Sequence, residues 1–159
     1  MNLFYNIEHY PDPTASDAIR NIQQSLPLHY IIQGDPRTKK NSQRIFYKGF
    51  PCRLCHKGAT PFIMPSKAYE EYEQKALWQL APKPRAPIQR PVTVRCLFYM
   101  KTKRAVDLNN LLEAACDILV AGRILADDNS QIVVSHDGSR VLHDKNHPRM
   151  EIFIEELSE

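Results

Sequence analysis

The segment from residue 92 to residue 135 constrains the fold most. Val92–Met100 (VTVRCLFYM) is long, β-branched and aromatic, as a well-packed strand requires. The basic turn KTKRA follows, and from Leu108 apolar residues recur at 111, 112, 115, 118 and 119, the stripe of an amphipathic helix. Asp107 stands at the N-cap position and Gly122 at the C-terminal stop. A further strand is expected over Gln131–Ser135. A strand, a helix and a strand in this order need a sheet with a helix packed on it.

The flanking sequence completes that outline. Leu28–Gln33 (LHYIIQ) and Arg44–Lys48 (RIFYK) read as strands on either side of the loop PRTKKNSQ. Residues 49–65 are turn-rich. Ser66 then caps a helix in which Tyr69, Tyr72, Ala76 and Leu80 share a face. The four prolines of residues 81–91 mark an extended linker. Asp137-Gly138 suggests a hairpin, and Met150–Glu155 a closing strand. The expected fold is therefore α+β: a single domain over 28–159, a mixed sheet with two main helices. Residues 1–27 form an extension in which Ser16 is positioned to cap a short helix.

At 159 residues the chain is long enough for one core, and its composition is that of a soluble globular protein. No run suits a membrane span and no secretory signal is visible, so the expected location is cytoplasmic. The net charge of +3 conceals a segregation of charge. Residues 1–35 sum to −3, residues 36–106 to +13 and residues 107–159 to −7. From Pro36 to Tyr69 there are eight basic residues and no acid. Such a block fits a polyanionic partner, or else a solvated face neutralised by the acidic C-terminal third. The candidate contacts to nucleic acid are Arg37, Lys39, Lys40, Asn41 and Arg44 in one cluster and Lys101, Lys103 and Arg104 in the other.

The acidic residues carry the chemistry. A helix of about 15 residues rises roughly 22 Å. The five or six extended residues after Gly122 cover most of that distance in return. Asp127 and Asp128 are thus expected to approach Asp107. Clustered carboxylates repel one another unless a cation lies between them, and hard oxygen donors suit Mg²⁺ or Mn²⁺. Beside a phosphate-binding surface, such an ion serves phosphodiester hydrolysis. The same residues also read as an ordinary helix cap and an acidic turn.

The stretch VDLNNLLEAACDILVAGRILADDNSQI resembles the signature of RusA-like Holliday junction resolvases, a family of phage and prophage endodeoxyribonucleases. Their pattern is an Asp-x-Asp-Asn-Leu start, an Asp inside the helix and an Asp-Asp pair about 20 residues on. GDPRTKKNSQRI is similar to the family's early loop, with Asn41 matching its recurrent Asn, and PSKAYEEYEQKALW and PRMEIFIEE resemble its next helix and closing strand. The likeness covers residues 28 to 156. It implies that Asp107 and Asp128 are catalytic, metal-binding carboxylates with Asp127 beside them. It also implies Mg²⁺ (or Mn²⁺) as cofactor, a four-way DNA junction as substrate, and a homodimer whose two-fold axis matches two symmetric nicks.

Two positions depart from the pattern. Asn109 replaces the second carboxylate, where a neutral amide still offers a metal ligand but removes a charge. Glu113 replaces a basic residue, whose role can pass to Lys101, Lys103 or Arg104; alternatively Glu113 restores the lost carboxylate. Asp117 matches the helix-internal Asp, and either a structural role or one supporting the metal ligands from behind is expected for it. These departures keep a second reading open, a branched-DNA-binding protein with little or no nuclease activity. A third is a small zinc module built on Cys52 and Cys55 of PCRLCH, which needs further ligands, His56 or a dimer mate among them. Cys96 and Cys116 are expected in the core. His136, His143 and His147 are expected at the surface, with proton transfer as an alternative role.

Overall fold

A computed structural model describes residues 26–40, 43–48 and 60–157. The expected helix after Ser16, Asn41, Cys52, Cys55 and His56 lie outside the described residues. In chain order the elements are β1 (Leu28–Gln33), β2 (Arg44–Lys48), β3 (Thr60–Met64), α1 (Lys67–Gln79), β4 (Val92–Met100), α2 (Leu108–Ala121), β5 (Val133–Ser135), β6 (Arg140–His143) and β7 (Arg149–Glu156). The architecture is α+β with a mixed sheet, as the sequence predicts. Among the described residues no helix is long and apolar enough to cross a membrane.

The main sheet runs β1-β7-β4, all antiparallel neighbours, and then β5 and β6 lie along the far edge of β4, both parallel to it. Alternate residues of each strand point to one face: Tyr30 and Ile32, Val92 through Met100 at every second position, and Met150, Ile152 and Ile154. Both helices cover this face. α1 contributes Tyr72, Ala76 and its C-cap Leu80, and α2 contributes Leu111, Ala115, Ile118 and Leu119. The opposite face is held by flatter contacts. His29 stacks on Phe153 at 4.2 Å, and Arg95 and Arg149 lie over Phe153 and Tyr99.

Two expectations change. First, Asp137-Gly138 makes no hairpin, because β5 and β6 do not pair with each other. They lie along the same edge of β4, with Val133 opposite Val92 and Arg140 opposite Leu97, and Asp137-Gly138 form the tight turn between them, closed by the Ser139 N–H on the His136 carbonyl at 3.1 Å. Gly138 takes φ 76°, which a side chain resists. Side chains replace the missing ladder bonds: the Cys96 N–H donates to Ser139 Oγ at 2.9 Å, and His136 Nδ1 donates to the Val94 carbonyl at 2.8 Å.

Second, β3 falls in the stretch read as turns. Gly122 ends α2 as expected; its φ of −74° is not left-handed, and Arg123 takes that conformation at φ 62°. Gly122 is required for space instead, since a Cβ there would stand 2.4 Å from Leu80 Cδ1. The two helices therefore meet at their C-terminal ends.

Candidate active site

α2 begins where β4 and its basic turn deliver it. Asp107 is extended (φ −82°, ψ 119°), and its Oδ1 accepts the Asn109 N–H at 2.9 Å. A carboxylate here also faces the positive end of the helix dipole. The preceding turn is fixed by a residue that sequence reasoning treated only as the end of a strand. Asp35 accepts the Lys101 backbone N–H at 2.8 Å and pairs with Arg37 at 3.2 Å. Its Gly-Asp-Pro setting was the available signal, since an Asp in such a turn is well placed to bind backbone N–H groups.

One carboxylate thus brings together two basic segments that are far apart in sequence. Between them lies a cleft of about 140 Å³ lined by Arg37, Thr38, Ser66, Arg104, Val106 and Leu111. Two guanidinium-bearing residues therefore share one cleft immediately before Asp107. Lys101, Lys103 and Arg104 are exposed and form no ion pair with another described residue. Their charge is available to a ligand.

The other basic cluster is used differently. Lys39 Nζ binds Asp117 Oδ2 at 2.8 Å and Lys40 Nζ binds Glu113 Oε2 at 2.7 Å. Glu113 and Asp117 are one helical turn apart on the same face of α2, so the loop after β1 is laid along the helix. The Asp117 hydrogen bond holds the Lys39 ammonium above its usual pKa, against a smaller desolvation effect. Asp117 thereby holds the loop after β1 against α2. Glu113 faces a lysine supplied by the loop. Arg44 donates to the Pro65 carbonyl and pairs with Glu70 at 2.7 Å, which ties β2 to α1.

The second acidic element follows α2. Ile124 and Leu125 are buried and donate to the Leu119 carbonyl, and Ile88 of the proline-rich linker clamps them through bonds to Ile124 and Ala126. The exposed turn Asp127-Asp128-Asn129 comes next. Asp127 is occupied by its own turn: it accepts the Asn129 side-chain amide and the Asp128 N–H, both at 2.8 Å. The Asn129 amide first, and the Asp128 N–H second, hold the Asp127 carboxyl below the usual range.

A carboxyl whose pKa is lowered stays charged until the pH falls through that lowered value. Asn129→Ala is therefore expected to move the Asp127 midpoint up toward the ordinary Asp value of about 3.9. Carboxyl carbon NMR titration measures this. An unmoved midpoint would remove Asn129 as the cause.

Burial first, and then the Asp128 and Asp117 charges, push the buried Cys116 thiol up to about 12. His136 is not a free surface residue. Its Nδ1 carries the proton given to Val94, which leaves Nε2 facing Cys116 Sγ at 3.9 Å. Cys96 and Cys116 are both buried, as expected.

The return segment does not gather the acids into a closed cage. Among the described residues no three His, Cys, Asp or Glu side chains are grouped to hold a metal ion. The donor set still suits Mg²⁺, which is commonly held by one or two carboxylates together with substrate phosphates and retained waters. Asp107 and Asp128 are the exposed carboxylates of that kind, and Asn109 adds a neutral oxygen one helical residue from the cap.

Among curated proteins none matches the chain. The family described as Endodeoxyribonuclease RusA matches over residues 52–155, more than half of the chain and all of the segment from α1 through most of β7. The chain belongs to the RusA endodeoxyribonuclease family.

Proposed function

We propose that the protein is a divalent-metal-dependent endodeoxyribonuclease of the cytoplasm. It resolves four-way (Holliday) junctions by paired symmetric nicks in recombination and repair, and it acts as a homodimer. The observation that carries this reading is the placement of Asp107 directly after an exposed basic turn, without an ion-pair partner among the described residues, and beside the Arg37–Arg104 cleft. Asp107, Asn109 and Asp128 would hold Mg²⁺, or Mn²⁺ in its place. When bound, the ion supplies Lewis acidity toward a phosphoryl oxygen and the attacking water. Lys103 and Arg104 orient the scissile phosphate, and Arg37 grips a neighbouring one, contributing affinity rather than sequence readout. Asp127 shapes the turn that carries Asp128.

A branched-DNA binder without cleavage is the second reading, favoured by Asn109 in place of a carboxylate. Incubation with a synthetic four-way junction, with and without Mg²⁺ or Mn²⁺, separates the two. Symmetric paired nicks support the enzyme, and a gel shift without nicks supports the binder. The basic turn has its own test. Lys103→Ala and Arg104→Ala are each expected to weaken junction binding and to lower the slope of log affinity against log salt by about one. Unchanged slopes in binding titrations over a salt series would place the phosphate contacts elsewhere.

A further inference from the structure

β2 and β3 form a two-stranded antiparallel ribbon separate from the main sheet. Directly opposed residues share a face. One face therefore carries Ile45 with Ile63 and Tyr47 with Pro61; the other carries Phe46 with Phe62, bracketed by Arg44 and Lys48. Both faces are exposed among the described residues. Ile45, Tyr47 and Ile63 are 63–65% exposed, and Phe46 and Phe62 about 40%. Phe46 and Phe62 stack at 5.8 Å, with the Arg44 guanidinium 5.4 Å from the Phe46 ring. Two-stranded ribbons are marginal in water on their own. This one is tied to the body through Arg44, Pro65 and Glu70.

We infer that the ribbon is a wedge that enters branched DNA at the branch point, with unstacked bases against its two apolar faces. Three observations favour DNA over a second copy of the chain. Both faces are apolar, whereas a protein interface along the ribbon needs only one. The charges at its ends are Arg44 and Lys48, and no acid occurs between Pro36 and Tyr69, so the surroundings complement phosphate. Aromatic platforms with flanking cations suit unstacked bases, and apolar side chains inserted between base steps kink a duplex. The inference rests on the junction reading above and adds which surface recognises the branch.

The test uses the full chain and a four-way junction carrying 2-aminopurine at the branch point, without divalent metal so that no cleavage intervenes. Saturating protein is expected to raise the fluorescence at least about twofold, as base unstacking does. Ile45→Ser/Tyr47→Ser and Phe46→Ser/Phe62→Ser proteins are expected to lose that rise. They should also lose junction-over-duplex preference on the order of tenfold. Phe46→Tyr/Phe62→Tyr, which keeps the rings, should retain both properties.

A parent protein that binds and later nicks the junction without the fluorescence rise overturns the wedge and leaves the nuclease reading intact. A rise unchanged in both serine variants also overturns it. So does a fall of the serine variants to half the parent's mass in light scattering with the rise retained, since the ribbon is then an interface between copies. A protein that unstacks the branch but never nicks overturns the nuclease reading alone.

Discussion

Replacing Asp107 by Asn is expected to lower junction cleavage by on the order of 100-fold or more while leaving the fold in place. Asn caps a helix about as well as Asp, so the bond from the Asn109 N–H is kept and only the charge is lost. The stability cost is confined to the helix-dipole contribution, about 0.3–1 kcal/mol. Asp107→Ala removes the cap as well and costs about 1 kcal/mol more. Asp128→Asn, in an exposed turn, is expected to change stability by no more than about 0.5 kcal/mol and to reduce cleavage similarly.

The measurements are thermal unfolding and single-turnover cleavage at saturating protein. Full activity in both Asn variants would show that neither carboxylate takes part in the chemistry. Loss of activity in proportion to lost stability would instead identify Asp107 as a cap alone.

How much of this was legible in the sequence follows from what each signal depends on. β1, β2, β4, α1 and α2 were readable because each is a local pattern: alternation or a 3.6-residue stripe, with Ser66 and Asp107 as caps. β3 was not, because TPFIM is short, contains a proline and has no buried face to impose alternation. The hairpin at Asp137-Gly138 was misread for another reason. A Gly at positive φ serves a turn along one sheet edge as well as a hairpin, and only the pairing of both flanking strands with β4 separates the two.

The candidate site divides in the same way. Asp107 and the basic turn are adjacent in chain, so their proximity was readable. The approach of Arg37 to Arg104 depends on Asp35, and the pairing of Lys39 and Lys40 with Asp117 and Glu113 depends on where the loop lies on α2. Both are contacts between segments far apart in sequence, which spacing does not encode. The expected approach of Asp127 and Asp128 to Asp107 assumes an extended return after Gly122. In the fold, Ile124 and Leu125 are held at the C-terminal end of α2, and Asp127 bends onto its own turn.

That anchoring leads to the other large expected effect. Leu119 is fully buried, and its carbonyl accepts both the Ile124 and Leu125 N–H groups, at 2.9 and 3.3 Å. Leu119→Ala leaves a cavity between α2 and the sheet and is expected to cost about 2–5 kcal/mol. For a domain of this size that corresponds to a fall in Tm of roughly 5–15 °C. Ile118→Val, which removes one methylene nearby, should cost only about 0.5–1.5 kcal/mol.

The bonds to the return segment come from the Leu119 backbone, which the substitution keeps. Cleavage well below the new Tm should therefore stay within a few-fold of the parent, and fall only as the protein unfolds. Circular dichroism melts and cleavage over a temperature series measure the two together. If cleavage is lost while the protein is still folded, the Leu119 side chain, and not only its carbonyl, positions the turn that carries Asp128. The core and the candidate site would then be one mechanical unit.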